Sequence, residues 1–134
     1  MIGDRIAAAA SDLIGAPFRL HGRDANTGLD CLGLIGLALE RVGRECRLPQ
    51  RYALRNRDIA QPLHFATLNG FIPCTGLWKA GDLLLFTLPG AQNHMAIACD
   101  RNVIVHAHAG LGRVVRGPAE GDWSETAHWR CSEE

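Results

Sequence analysis

A chain of 134 residues, 47% of them hydrophobic, is long enough to bury a substantial core without disulfide staples, and it reads as one domain over residues 1–134. Its 14 Lys and Arg balance 14 Asp and Glu, so no charge excess draws it to nucleic acid or to an anionic membrane. The five cysteines, Cys31, Cys46, Cys74, Cys99 and Cys131, are an odd set with no C-x-x-C pair, which excludes a complete disulfide framework and a zinc ribbon and leaves reduced thiols in a cytosolic chain.

The first residues carry Asp4 and Arg5 before a weak run from Ala7 to Ala10, without the basic start and longer apolar core of a secretory signal. Synthesis in the cytoplasm without a signal peptide is the expectation. No apolar stretch reaches the roughly 20 residues of a membrane span. Ile6, Ala9, Ala10, Leu13 and Ile14 recur at helical spacing and predict a first helix over Ile2 to Ile14, ended by Gly15 and Pro17. A polar loop runs to Gly28. Asp30 is placed to cap a second helix from Cys31 to Val42, with Gly43 as its stop. Apolar residues surround most of that helix, so it is expected to be buried on nearly all sides.

Irregular, Arg-rich sequence from Arg44 to Arg57 precedes a third predicted helix near Asp58 to Leu68. Beyond Gly81 the period changes to that of strands: Asp82 to Thr87, His94 to Cys99, Val103 to His108, Arg113 to Arg116, and a last one near His128 to Cys131. Helices followed by a meander of short strands predict an α+β fold with an antiparallel sheet.

A thiol attacks as thiolate, and a helix start offers free N–H groups and partial positive charge that favour the anion; the same N–H groups stabilise the oxyanion formed when a carbonyl is attacked. Cys31 stands at such a start and is the candidate nucleophile. If the two following strands turn about Asp100, His94 lies opposite His106, each six residues from the turn. Alternation then sets Ala96, Ala98, Ile104 and His108 on the same face, where the two alanines would let the Cys31 helix approach closely, with Met95, Ile97, Val103 and Val105 on the other. This makes His94 the candidate base and His106 the polar group that orients it. Alone, a cysteine in an apolar helix is more often a small buried hydrophobe. The spacing His106-x-His108 also suits zinc, but it has no second motif beside it. The other four cysteines read as structural, and His21, His64 and His128 as surface or hydrogen-bonded residues.

The stretches Gly15-Ala16-Pro17-Phe18-Arg19-Leu20-His21-Gly22, Asp30-Cys31-Leu32-Gly33-Leu34, Gly81-Asp82-Leu83-Leu84-Leu85-Phe86, His94-Met95-Ala96-Ile97 and Val105-His106-Ala107 follow one another in the order and spacing of the NlpC/P60 superfamily of papain-like cell-wall cysteine peptidases, which the chain resembles from about Gly15 to Gly110. The resemblance implies a papain-like fold in which a helix bearing Cys31 packs on an antiparallel sheet bearing His94 and His106. It implies these three as nucleophile, general base and orienting residue, without a cofactor or metal. It implies peptidoglycan stem peptides as substrate, cut between γ-linked D-Glu and a diamino acid. Phe18 stands where the family has a tyrosine, which removes a hydroxyl that Tyr52 is a candidate to replace; His21 stands for a glycine and Leu32 for a serine. The D-C-L-G-L form and the short length resemble peptidases of phages, prophages and gene transfer agents, which implies particle proteins as partners and delivery to the wall in a virion-like particle or by lysis. Arg19 and Arg23 are placed to meet substrate carboxylates, and Asp30 to cap the helix or to hold the loop. The alternatives are another thiol amidase or acyltransferase on this fold, a non-catalytic wall-binding or tail module, and, more remotely, a zinc hydrolase built on His94, His106 and His108.

Overall fold

The computed structural model describes residues 1–47 and 60–133. Helix α1 (Ile2–Ser11) is followed by a two-stranded hairpin, β1 (Arg23–Asp24) and β2 (Gly28–Leu29), then α2 (Cys31–Arg41), α3 (Ala60–Leu68) and β3 (Phe71–Pro73). Five further strands complete the chain: β4 (Leu83–Leu88), β5 (Gln92–Ala98), β6 (Ile104–His108), β7 (Arg113–Gly117) and β8 (Ser124–Cys131). Six strands form one antiparallel sheet in the order β3-β8-β4-β5-β6-β7: a meander from β4 to β7, with β8 returning to slot between β4 and β3. This is the expected α+β, papain-like architecture. None of the described helices is long and apolar enough to cross a membrane.

Differences from the sequence expectation are local. Helix α1 stops at Ser11, because Leu13 and Ile14 donate to carbonyls three residues back and tighten the chain toward Gly15 at φ 93°. Asp58 and most of the Arg44 to Arg57 stretch lie outside the described residues. Strand β8 begins at Ser124, ahead of the predicted His128, because its first residues are exposed and polar and carry no alternation of apolar residues. The short pairs β1–β2 and β3–β8 likewise lack apolar period.

Helix α2 is buried as its composition predicts: Leu34, Ile35 and Ala38 are fully enclosed, and Gly43 ends it at φ 84°. It packs on α1 and on the sheet face formed by Leu83, Leu85, Met95, Ile97, Val105 and Ala107. The opposite face, with Leu84, Phe86, Ala96, Ala98 and Ile104, is covered by Trp78, Trp123 and their neighbours. The faces are thus as alternation sorts them, but the helix lies on the Met95 side, against the expectation that Ala96 and Ala98 would receive it. Larger side chains fill the space between helix and sheet, and the alanines leave room on the other face for indole rings.

The start of α2 is clamped by the β1–β2 hairpin. A Cβ on Gly33 would collide with the carbonyl oxygen of Gly22, and one on Gly22 with that of Gly28. The glycine of the Asp30-Cys31-Leu32-Gly33 run therefore permits backbone-on-backbone contact within the first turn of α2, two residues past Cys31. Gly33→Ala should destabilise the protein by about 2 kcal/mol, the usual cost of overpacking, read as a lowered midpoint in urea unfolding.

Candidate active site

Three local features fix Cys31. Asp30 is extended and fully buried, and its Oδ1 accepts the N–H of Gly33 at 2.9 Å, capping α2. Its Oδ2 accepts the N–H of His21 at 2.8 Å, and the Arg23 guanidinium lies 3.2 Å from Oδ1. One carboxylate thus joins the loop, the hairpin and the helix start, and both roles expected of Asp30 coincide. Arg23 also donates to the Gly22 carbonyl, so it is part of this loop frame, whereas Arg19 is exposed.

The sheet supplies the rest. Strands β5 and β6 pair at Ile97↔Val105 and Ala98↔Ile104, and their ladder stops there, although β5 continues along β4 and β6 along β7. The hairpin turns about Arg101, with Asp100 Oδ1 accepting the N–H groups of Asn102 and Val103. The turn centre thus lies one residue beyond the expected Asp100, which shifts the pairing register by two and leaves every side chain on the same face as before. His94 and His106 do not stand directly opposite; they meet diagonally across the mouth where the strands part, His94 Nε2 to His106 Nδ1 at 2.8 Å, with rings nearly perpendicular. Into that mouth comes the start of α2, and the Met95 N–H turns to the Cys31 sulfur. Cys31 and His94 line one cleft, with Phe18, Leu88, Trp123 and Glu120 around them.

Burial dominates the electrostatics. It pushes the Cys31 thiol up to about 12, helped by the charge of Asp30 and opposed by the N–H groups of Met95, Leu32 and Cys31 itself. Burial also pulls His94 down to about 3 and His106 to about 4, with the neighbouring histidines adding to both shifts. The donors expected at the helix start are present and act in the expected direction, but desolvation outweighs them. All three shifts favour the neutral thiol and the neutral imidazoles.

The two nitrogens of each ring have distinct tasks. His94 Nε2 is engaged by His106, which leaves Nδ1 for the cleft. Trp123 packs edge-on against both rings, at 5.0 and 5.3 Å between centroids, and restricts their rotation. Neither Trp123 nor Glu120 carries a sequence signal, since both come from the irregular connection between β7 and β8. Tyr52, the candidate replacement for the hydroxyl missing at Phe18, lies outside the described residues.

The three histidines of the cleft are not the set best placed for a metal. Among the described residues, the side chains close enough to share an ion are those of Cys74, Asp82 and His128. That group does not suit a cation: Asp82 accepts from Arg130 Nε and Nη2, both at 2.8 Å, from His128 Nε2 at 2.7 Å and from the Lys79 N–H. Burial raises the Asp82 carboxyl, and these donors more than offset it. The guanidinium already occupies the place of a positive ion.

The model of the NlpC/P60 family matches residues 15–130. The chain belongs to the NlpC/P60 family. Among solved structures it is similar to the NlpC/p60 domain of the peptidoglycan hydrolase SagA, with 27% identity over 96% of this chain and 97% of that one and a TM-score of 0.63. It is also similar to NlpC1 from Trichomonas vaginalis, at 18% identity, TM-score 0.69, covering 96% of this chain and 44% of that one. A third similar structure is the peptidoglycan hydrolase RipB from Mycobacterium tuberculosis, at 20% identity, TM-score 0.65, covering 99% and 66%. The chain thus spans less than half of the Trichomonas protein and nearly all of the SagA domain. A comparison with curated proteins finds no match. In this NlpC/P60 chain the motif residues Cys31 and His94 line one cleft, His106 bonds to His94 behind it and Asp30 with Gly33 fixes the start of α2, while Asp82 of the Gly81-Asp82-Leu83 motif serves the separate Arg130 and His128 network.

The buried imidazoles set a pH dependence. Both hold folded-state values below the ordinary value of 6.5, so between that pH and about 4 the unfolded chain binds more protons than the folded one. Stability should therefore be full above pH 6.5 and fall on acidification through this window. Urea midpoints measured from pH 7 to pH 4 should show that slope, and His106→Asn should make it shallower, leaving the part due to His94.

Proposed function

We propose that the protein is a cysteine peptidase that hydrolyses peptidoglycan stem peptides at the bond between γ-linked D-Glu and a diamino acid, with Cys31 as nucleophile, His94 as base and acid, and His106 as the residue that orients His94. The observation that carries this reading is the shared cleft of Cys31 and His94, with His94 Nε2 held on His106 so that Nδ1 is the nitrogen left for the thiol. The SagA domain, similar over nearly its full length, belongs to a peptidoglycan hydrolase.

From a neutral resting pair, the proton of Cys31 passes to His94 Nδ1 as the sulfur attacks the amide carbonyl carbon. The tetrahedral oxyanion is held by N–H groups at the start of α2. His94 returns the proton to the amine nitrogen as the C–N bond breaks, leaving a thioester. Water then attacks the thioester carbonyl, giving up a proton to His94, and the sulfur leaves and recovers that proton. The products are a carboxylic acid, a free amine and the original thiol. His106 accepts or donates at Nε2 of His94 throughout and keeps the ring in plane with this path.

The Asp30-Cys31-Leu32-Gly33-Leu34 form supports a phage, prophage or gene-transfer-agent setting, in which a particle or lysis carries the enzyme to the wall.

Digestion of purified peptidoglycan and defined stem peptides in the presence of reductant, with products resolved by mass spectrometry, tests the assignment. Wild-type protein should release fragments ending in γ-D-Glu, Cys31→Ala should release none, and His94→Ala should lose a factor of about 10² to 10⁴ in kcat. Binding of wall fragments without cleavage by the wild type, unaffected by thiol alkylation, would replace this reading with that of a binding module.

A further inference from the structure

The cleft extends past the histidine pair to an acidic end. His108 follows His106 on the same face of β6, and its ring lies 5.5 Å from that of His106. The turn after β6 folds back so that the Leu111 N–H donates to His108 Nδ1 at 3.1 Å. A ring nitrogen that accepts this bond carries no proton, so Nε2 carries it and donates to Glu120 Oε1 at 3.3 Å. A backbone donor thereby fixes the tautomer that holds a carboxylate over the cleft. The Glu120 side chain remains 56% exposed, with acceptor capacity to spare.

The cleft that Cys31 and Glu120 share takes apolar surface from Phe18, Leu88 and the indole of Trp123, with the neutral amide of Gln92 beside them. Among the described residues that line the cleft, Glu120 is the one carboxylate and there is no Lys or Arg. Apolar surface beside a carboxylate and an indole is an environment that accepts a methylene chain ending in an ammonium group. Its direction matters. In the reaction proposed above, His94 protonates the amine that leaves, so the departing residue sits on the His94 side of Cys31, where His108 and Glu120 lie.

We infer that Glu120 determines specificity: the cleft takes a departing residue whose alkyl side chain ends in an ammonium group, with the methylenes against Phe18, Leu88 and Trp123 and the ammonium on the carboxylate. A lysine-type stem fits this charge pattern better than one whose side chain also ends in a carboxylate, since no cationic residue of the described lining would balance the second charge. The inference rests on the peptidase reading.

The test is hydrolysis of three peptides, L-Ala-γ-D-Glu-X with X as lysine, meso-diaminopimelate or norleucine, by wild type and Glu120→Gln at low salt and at about 1 M salt, where the Debye length is about 3 Å. Wild type at low salt should favour lysine over norleucine in kcat/KM by about three- to tenfold, chiefly through KM, with diaminopimelate between them. That ratio should fall toward one in Glu120→Gln and, without any substitution, at high salt. Cleavage of norleucine as fast as lysine by the wild type, or a ratio that Glu120→Gln leaves intact, would overturn the inference while the peptidase reading stands. Failure of the wild type to cut any of the three would remove both.

Discussion

The whole site depends on where a β-ladder ends. Strands β5 and β6 share two residue pairs beside their turn and then part, and the start of α2 occupies the opening. Backbone groups of β5 that a neighbouring strand would have satisfied must find other partners, since a buried N–H left alone is costly. The Met95 N–H finds the sulfur of Cys31, and the side chains of His94 and His106 close the gap with a direct bond. An interrupted sheet thus becomes a place where a helix dipole, a thiol and two imidazoles meet.

Holding α2 in that opening requires a rigid frame behind the thiol, and Asp30 supplies it. Its carboxylate is fully buried yet meets N–H groups of His21 and Gly33 and the guanidinium of Arg23, so its desolvation is compensated by donors from three segments. The cost falls on Cys31, whose thiolate faces a negative charge one residue away. Positioning and activation therefore oppose each other here. Asp82, the second buried carboxylate of the family motifs, shows the contrast: similarly enclosed, it binds Arg130 and His128 and ties β8 to the turn before β4, outside the cleft lined by Cys31 and His94.

Trp123 shapes both ends of the cleft. Against His94 and His106 its indole packs edge-on and adds to the burial of both rings. Against Phe86 it anchors the β7–β8 connection on the alanine face of the sheet. The same connection carries Glu120 to His108, so one irregular segment gives the site its dry wall and its negative rim.

Much of this was legible in the sequence because it is written in local chemistry. The period of α2, the cap at Asp30, the stop at Gly43 and the alternation along β4 to β7 each depend on residues a few positions apart, and the ordered motifs around Cys31, His94 and His106 declared the family. Alternation also assigned the two histidines to one face correctly, although the turn centre was shifted, because a slip of two residues leaves faces unchanged. What the sequence could not decide was which face α2 would cover, how far the β5–β6 ladder would run, and which side chains from the β7–β8 connection would close the cleft. Nor did it reveal that burial would outweigh the helix start at Cys31. Those outcomes depend on contacts between residues distant along the chain and on the water they exclude, and neither has a period or a spacing for a linear sequence to show.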